Sequence, residues 1–406
     1  MKNLMYTIGI TAFLACGVFK KAAPFYRGIL VFMILLGCSG PSDIPVPDRS
    51  FIPIPVNIYD DYTMDVQVLK VTPLETSEDA MIGRVRKILF HDHYYYLLDD
   101  HERDIKIFDI EGEYVETLSN IGRGRNEYIH LTDINIREDI NSLDMLDPRG
   151  KIVRYNLKNR KFTEDILIST YLAEISTFQW VNSDTLIFGS FFQDTNIMYY
   201  SVQESRELGR AVPSVMVHTN SAPLVNLISF WRWKDQIHYI DLYNMETYVI
   251  RQDNLEKKYK FDFGENQFTF DEIRDVERDF DIVEYTVEHK KAFPLSSVYE
   301  NEKYFVFGVF INEKYAIQYF GIEKSNPEEV FTINLGDYKD NLLDFEAFAL
   351  GLESDHFIAC VSNPLAIPKL FENAIIPEEF SDVIDEATDI SNPYLIEYTL
   401  VPRKKD

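Results

Sequence analysis

The chain carries no HExxH motif, no GxSxG nucleophile elbow and no phosphate-cradling glycine loop, so zinc hydrolysis, serine acyl transfer and nucleotide chemistry leave no mark on it. Cysteine is scarce, at three residues: Cys16, Cys38 and Cys360. If residues 1–37 are removed and Cys38 is modified, Cys360 is the one remaining thiol, and neither a disulfide framework nor a cysteine metal site can form. Cys360 sits in the strand-like run Phe357-Ile-Ala-Cys-Val361, where a small buried hydrophobe is expected over a nucleophile. Positive charge is also short, with 40 Lys and Arg against 66 Asp and Glu and a formal net charge of −26. Four of the basic residues (Lys2, Lys20, Lys21, Arg27) fall in residues 1–37, which hold no acid, so the rest of the chain stands at −30. Such a surface repels phosphate backbones, which argues against a nucleic-acid partner. It repels anionic lipid as well, so membrane attachment requires a covalent or inserted anchor.

What is abundant points to strands. Hydrophobic residues make up 46% of the chain, with 29 Phe and 25 Tyr. Aromatics favour pleated, half-buried surfaces, and this many argue against disorder. At 406 residues the chain exceeds the usual single domain, so two or three domains or one repeat array are expected.

Residues 18–40 read VFKKAAPFYRGILVFMILLGCSG. Lys20, Lys21 and Arg27 form a positive n-region, and Gly28 to Leu36 an apolar stretch too short to span a bilayer. Leu35-Leu36-Gly37-Cys38 resembles the lipobox of bacterial lipoproteins, in which the cysteine is diacylated and becomes the new N-terminus. The resemblance implies a signal peptide over 1–37, a lipidated tether over 38–60 and a folded region over 61–406. The address it implies is the outer membrane, facing the periplasm or the cell surface. A second, weaker box ends at Cys16, preceded by its own apolar run. Translation starting downstream, for instance at Val18, a long leader still cut at Cys38, and lipidation at Cys16 are the competing readings, with Cys38 favoured.

One phrase recurs along the chain: an apolar residue, two variable ones, then an aromatic or large apolar one before a turn. It appears as Ile105–Phe108, Ile152–Tyr155, Ile197–Tyr200, Thr247–Ile250, Ile317–Phe320 and Leu395–Tyr398. An apolar strand precedes each copy, as at Tyr95–Leu98 and Phe305–Val309, and another precedes that one. Four short strands at a period near 45 residues are the mark of propeller blades. The expected fold is therefore an all-β, six-bladed β-propeller of four-stranded antiparallel blades. No strand follows the sixth copy, and the alternating Met64–Val71 (MDVQVLKV) is spare. It is expected to close the ring as the outermost strand of the last blade. Two insertions, Phe270–Lys291 and Ala366–Asp389, carry apolar residues at helical spacing and are expected to be helical caps or lids. Two β-sandwiches are the rival fold, which explains neither the phased copies nor the spare strand.

At residues 94–128 the match becomes specific. Asp99, the turn Phe108-Asp109 to Gly112, and the loop Gly122-Arg-Gly-Arg-Asn-Glu-Tyr128 resemble the first blade of the six-bladed propeller lipoproteins of anaerobic Gram-negative bacteria, related in fold to NHL-repeat and TolB-like propellers. In that family the loop reads Gly-x-Gly-Pro-Gly-Glu-Tyr. Arg125 and Asn126 depart from it, which puts the loop's usual backbone in question.

No catalytic residue, metal ligand or cofactor is assigned. His91-Asp92-His93 alternates across a strand-turn, and the eight histidines do not recur in phase. Asp99, Asp147 and Asp241 each end a strand, where turn capping is expected over convergence on a cation. Two features suggest recognition. Arg123 and Arg125 lie on a glycine-flanked loop and could grip a carboxylate or sulfate. Trp231 and Trp233 are two of only three tryptophans, and could stack on a sugar, anchor a partner or simply pack in the core. The expected function is a membrane-anchored binding or scaffold module, monomeric, with a peptide, glycan or protein partner. The alternative is a metal-dependent hydrolase or lyase with its site in the propeller channel.

Overall fold

Strands formed from the most apolar runs set the architecture. In the computed structural model, residues 42–403 are described, except 47–49, 59–61, 169–174, 191–194, 214–229, 243, 268–271, 273–284, 286–287, 312–315, 337–349 and 352–353. Three strands come first: β1 (Ser42–Asp43), β2 (Ile52–Pro55) and β3 (Thr63–Pro73). The first sheet follows as β4 (Val85–His91), β5 (Tyr94–Asp99), β6 (Asp104–Asp109) and β7 (Tyr114–Leu118). The second holds β8 (Asp133–Arg137), β9 (Ser142–Asp147), β10 (Lys151–Asn156) and β11 (Lys161–Leu167). The third holds β12 (Ile175–Trp180), β13 (Thr185–Ser190), β14 (Thr195–Ser201) and β15 (Arg206–Pro213), with β1 added beyond β15. The fourth holds β16 (Phe230–Trp233), β17 (Gln236–Asp241), β18 (Glu246–Ile250) and β19 (Leu255–Asp262), with β2 added in parallel to β19.

The remaining strands are β20 (Ala292–Glu300), β21 (Tyr304–Ile311), β22 (Ala316–Glu323), β23 (Asn326–Asn334), β24 (Leu350–Gly351), β25 (His356–Val361) and β26 (Tyr394–Pro402). They form one continuous sheet of eight strands, in the order β20-β21-β22-β23-β3-β26-β25-β24. The inner strands touch in turn: β4 meets β8, β8 meets β12, then β16, β20 and β24 follow, and β24 returns to β4. The chain is an all-β propeller whose sheets close on themselves.

The second and third strands of a sheet are covered on both faces by neighbouring sheets, so their sequences run apolar without alternation. Tyr95 to Asp99 of β5 are buried at every position, and so is all of β9. The outer strands face solvent: β11, the last of the second sheet, buries only Ile166. The core therefore lies between sheets. Tyr96, Leu98, Ile105 and Ile107 of the first pack on Ile134, Met145, Val153 and Tyr155 of the second. Between the fourth and the eight-stranded sheet the filling is aromatic, with the Phe261 and Phe307 ring centroids 4.5 Å apart.

Turns follow the Asp-to-Gly signals. Asp109 accepts from the amides of Glu111 and Glu113 at 2.9 and 3.0 Å, and Gly112 takes φ +84°. A Cβ at Gly112 would lie 2.3 Å from the Pro73 carbonyl, so close approach to β3 requires glycine there as well.

Several expectations are corrected. The chain does not divide into six separate four-stranded blades. Four sheets stand as separate blades, two of them five-stranded, and the rest is a single eight-stranded sheet. The cause is β3. It pairs antiparallel with β26, from Tyr394↔Pro73 to Pro402↔Met64, and its other edge pairs in parallel with β23 through Thr332↔Thr63 to Asn334↔Asp65. It was expected as an outermost strand, but it lies inside a sheet and fuses what would be two blades. Within residues 366–389 the helices are shorter than expected: the described α-helices there are α1 (Ile367–Leu370) and α2 (Ser381–Asp385). The other expected helix, within 270–291, lies largely outside the described residues. The described part of the segment read as a tether is paired chain: Ile44 N donates to Arg210 O, Leu255 N to Pro45 O and Val56 N to Asp262 O.

Candidate functional site

The loop joining β7 to β8 carries the first pair of candidate residues. Its backbone is pinned at both ends, with Gly122 N donating to Tyr128 O at 2.8 Å and Tyr128 N to Asn120 O at 3.1 Å. Inside, the Glu127 carboxylate accepts from Gly124 N at 2.6 Å, and Asp165 on β11 accepts from Asn126 N at 2.9 Å. Lys151 braces the same turn by donating to Gly124 O at 3.1 Å. Asn126 takes the left-handed φ of +61°, a backbone that glycine adopts readily and that the short Asn amide tolerates. Arg123 and Arg125 are both exposed on this braced loop, and neither has an ion pair among the described residues.

Trp231 and Trp233 lie on β16 beside a buried polar cluster. Trp231 stacks on His238, with centroids 4.9 Å apart and planes at 18°, and its indole N–H donates to Glu300 at 3.1 Å. Glu300 also accepts from Lys258 at 3.0 Å and from Lys324 at 3.3 Å. The Lys324 ammonium sits 4.8 Å over the buried Trp233 ring. One face of Trp231 is thus taken by His238, and Trp233 faces a lysine of the same cluster. His238 is fully buried; its Nδ1 lies 3.4 Å from Lys258 Nζ and its Nε2 has no hydrogen-bond partner. Burial, then the charge of Lys258, pulls its imidazole down to about 3, so it is neutral at every physiological pH. Burial pushes the Glu300 carboxyl up, but Lys258, His238 and the Trp231 hydrogen bond together hold it below the usual carboxylate range. Sequence reasoning found the tryptophans and missed His238, Lys258, Glu300 and Lys324. The available signal was the polar residue inside an apolar run, as in Gln236-Ile-His-Tyr-Ile-Asp241.

A second polar belt joins the inner strands of the first three sheets. Lys87 on β4 reaches Asp133 on β8 at 2.6 Å, and Asp133 accepts from the Thr177 hydroxyl on β12 at 2.7 Å. Gln179 on β12 donates to Asn135 on β8 at 2.6 Å. Beside it the fully buried Asp144 accepts a fork from Arg154 at 2.7 and 2.8 Å and the Trp180 indole N–H at 2.9 Å. These groups tie sheet to sheet. Asp99 accepts from the amides of Gly83, Arg84, His101 and Glu102, Asp147 from those of Ile129 and Arg149, and Asp241 from Asn244. Each carboxylate is engaged in turn capping. No group of three or more His, Cys, Asp or Glu among the described residues is placed to hold a metal. Cys360 is fully buried in β25, and Cys38 lies outside the described residues.

Comparison with known proteins bears on the fold. The family model described as Domain of unknown function (DUF4934) matches residues 65–399. A solved Bacteroides fragilis NCTC 9343 protein described as exported is similar at 13% identity, with a TM-score of 0.69 over 87% of this chain and all of that one. A Bacteroides vulgatus ATCC 8482 member of the DUF4221 family is similar at 7% identity and a TM-score of 0.52, over 85% of this chain and all of its own. No curated protein matches the sequence.

Proposed function

We propose that this chain, which belongs to the DUF4934 family, is an exported, lipid-anchored propeller that binds an anionic partner through the Gly122–Tyr128 loop. The observation that carries the reading is the pairing of exposure and rigidity. Two guanidinium groups two residues apart stand in solvent on a backbone braced by Asp165, Glu127 and Lys151. Little backbone entropy of the loop then remains to be lost when a carboxylate or sulfate is gripped. The surrounding protein is strongly acidic, so a basic loop is a local exception that steers an anionic group to one place. The anchor is read from Leu35-Leu36-Gly37-Cys38, and the described export of the similar Bacteroides fragilis protein is consistent with it. The resemblance of residues 94–128 to NHL- and TolB-like propeller lipoproteins supports the same address.

Two measurements test the two halves. Metabolic labelling with a clickable fatty acid should mark the wild-type protein and not Cys38→Ala; equal labelling would remove the anchor. Binding of the detergent-solubilised full chain to an array of acidic peptides and sulfated glycans should fall on changing Arg123 and Arg125 together to Ala. Unchanged binding by that double variant would take the loop out of the contact.

A further inference from the structure

A separate set of cationic groups lies at the inner edge of the ring, where the first sheet meets the second. Antiparallel alternation brings the β5–β6 turn to the same end as the β7–β8 connection. Asp100, on that turn, is the common centre. Its Oδ2 pairs with Arg84, and its Oδ1 lies 3.7 Å from Arg86 Nη1 and 3.9 Å from His130 Nε2. The Asp100 carboxylate is only 7% exposed, whereas Arg84 is 67% and His130 40% exposed. Arg103, on the same turn, is exposed and has no ion pair among the described residues. The imidazole of His130 is held below its ordinary range, first by burial and then by the charges of Arg86 and Arg103, so both guanidiniums reach it electrostatically. Two guanidiniums and the His130 imidazole thus share one inner carboxylate, and the charge of Arg103 on the same turn acts on His130 as well.

The cluster is also held in place. Asp99 accepts from Gly83 and Arg84 on one segment and from His101 and Glu102 on the other, at 2.6 to 3.2 Å. Asp100 N donates to Arg84 O and Arg103 N to Asp99 O, each at 2.9 Å. Arg103 takes a left-handed φ of +61°, a conformation the flanking bonds must hold. Arg86 is fixed by donation from Nε to Thr132 O at 2.7 Å, and the backbone before His130 by donation from Ile129 N to Asp147 at 3.0 Å. The neighbouring acid Glu102 is engaged with His101 at 2.9 Å.

We propose that Arg84, Arg86, Arg103 and His130 form an oxyanion site at the inner rim, receiving a carboxylate or sulfate group of a ligand on the side opposite Asp100. Asp100 sets the guanidinium planes, and the incoming anion completes their charge. The site stands independently of the Arg123–Arg125 loop. The test titrates the detergent-solubilised full chain with sodium sulfate and with sodium succinate, at ionic strength held constant with sodium chloride, by calorimetry. Saturable binding is expected for at least one anion. Arg84→Ala and Arg103→Ala, both exposed positions, should each weaken it about tenfold, and Arg103→Lys should retain part of it. Preference for sulfate assigns a tetrahedral anion and preference for succinate a carboxylate. The double variant of Arg123 and Arg125 should keep the saturable step that Arg84→Ala and Arg103→Ala weaken, which separates this site from the loop. The proposal is overturned if neither anion binds saturably up to about 20 mM, or if the Arg84 and Arg103 variants bind like wild type.

Discussion

Replacing His238 with Phe should flatten the acid limb of the protein's stability. In the folded chain His238 is fully buried, stacked on Trp231 and faced by Lys258, Glu300 and Lys324, and its imidazole titrates at about 3. Unfolded, it returns to an ordinary value near 6.5. Between those values the unfolded state binds a proton that the folded state refuses, so stability is full above 6.5 and falls as the pH drops. From pH 7.5 to pH 5.0 this one residue withdraws about 2 kcal/mol, at about 1.4 kcal/mol per unit once below 6.5. Phenylalanine keeps the aromatic stack and removes both the titration and the unpartnered Nε2. Urea unfolding of wild type and His238→Phe at pH 7.5 and 5.0 isolates the effect, because every other titrating group is common to both. The wild type should lose about 2 kcal/mol more than the variant over that interval. Equal losses would mean that His238 is not buried as a neutral group, and the account of the Glu300 cluster would fail with it.

Asp144→Ala should cost about 3–5 kcal/mol, because it leaves the Arg154 guanidinium largely buried without its forked partner and orphans the Trp180 N–H; chemical denaturation reads it directly. Ile54→Ala should cost about 2–5 kcal/mol, since Ile54 is fully buried where β2 joins β19, and limited proteolysis should then cut within residues 50–58. Wild-type stability in that variant would mean that the N-terminal strands only rest on the propeller.

The propeller was legible because its inner strands are buried on both faces, which writes a dense apolar phrase at each repeat. What was not legible is where sheets end. An edge between β23 and β3 is decided by which strand arrives beside it, and Thr332, Ile333 and Asn334 carry no local mark that Thr63 to Asp65 will pair there. The segment Ile52-Pro-Ile-Pro55 was read as tether because it is proline-rich. Yet Ile54 points inward while Pro53 and Pro55 point out, and on the edge of a sheet proline forfeits only bonds that would have gone unmade. The braced loop at Gly122–Tyr128 was visible as glycines and arginines in a run. The partners of Trp231 were not, since His238, Lys258, Glu300 and Lys324 come from separate strands or their ends and meet only once two sheets pack.

The shortage of basic residues gains a structural meaning from where they lie. Lys87, Arg154 and Lys258 each reach a buried carboxylate, and Lys87 and Lys258 do so on another sheet. Such pairs contribute little net stability against apolar replacements, but removing one partner strands a buried charge, so they penalise any misalignment of neighbouring sheets. In a chain with far more acids than bases, cations placed in this way are not available to neutralise the surface. Lys158 and Lys161 are also exposed and without ion pairs among the described residues, but the arginines Arg103, Arg123 and Arg125 share one end of the fold. Their location is the argument: all three lie on the same end of the first two sheets, on segments that other hydrogen bonds have already fixed. A fold-stabilising role would favour pairing them with the abundant carboxylates nearby. An anion-binding role favours leaving them free, and it predicts that affinity falls with rising salt far more steeply than stability does.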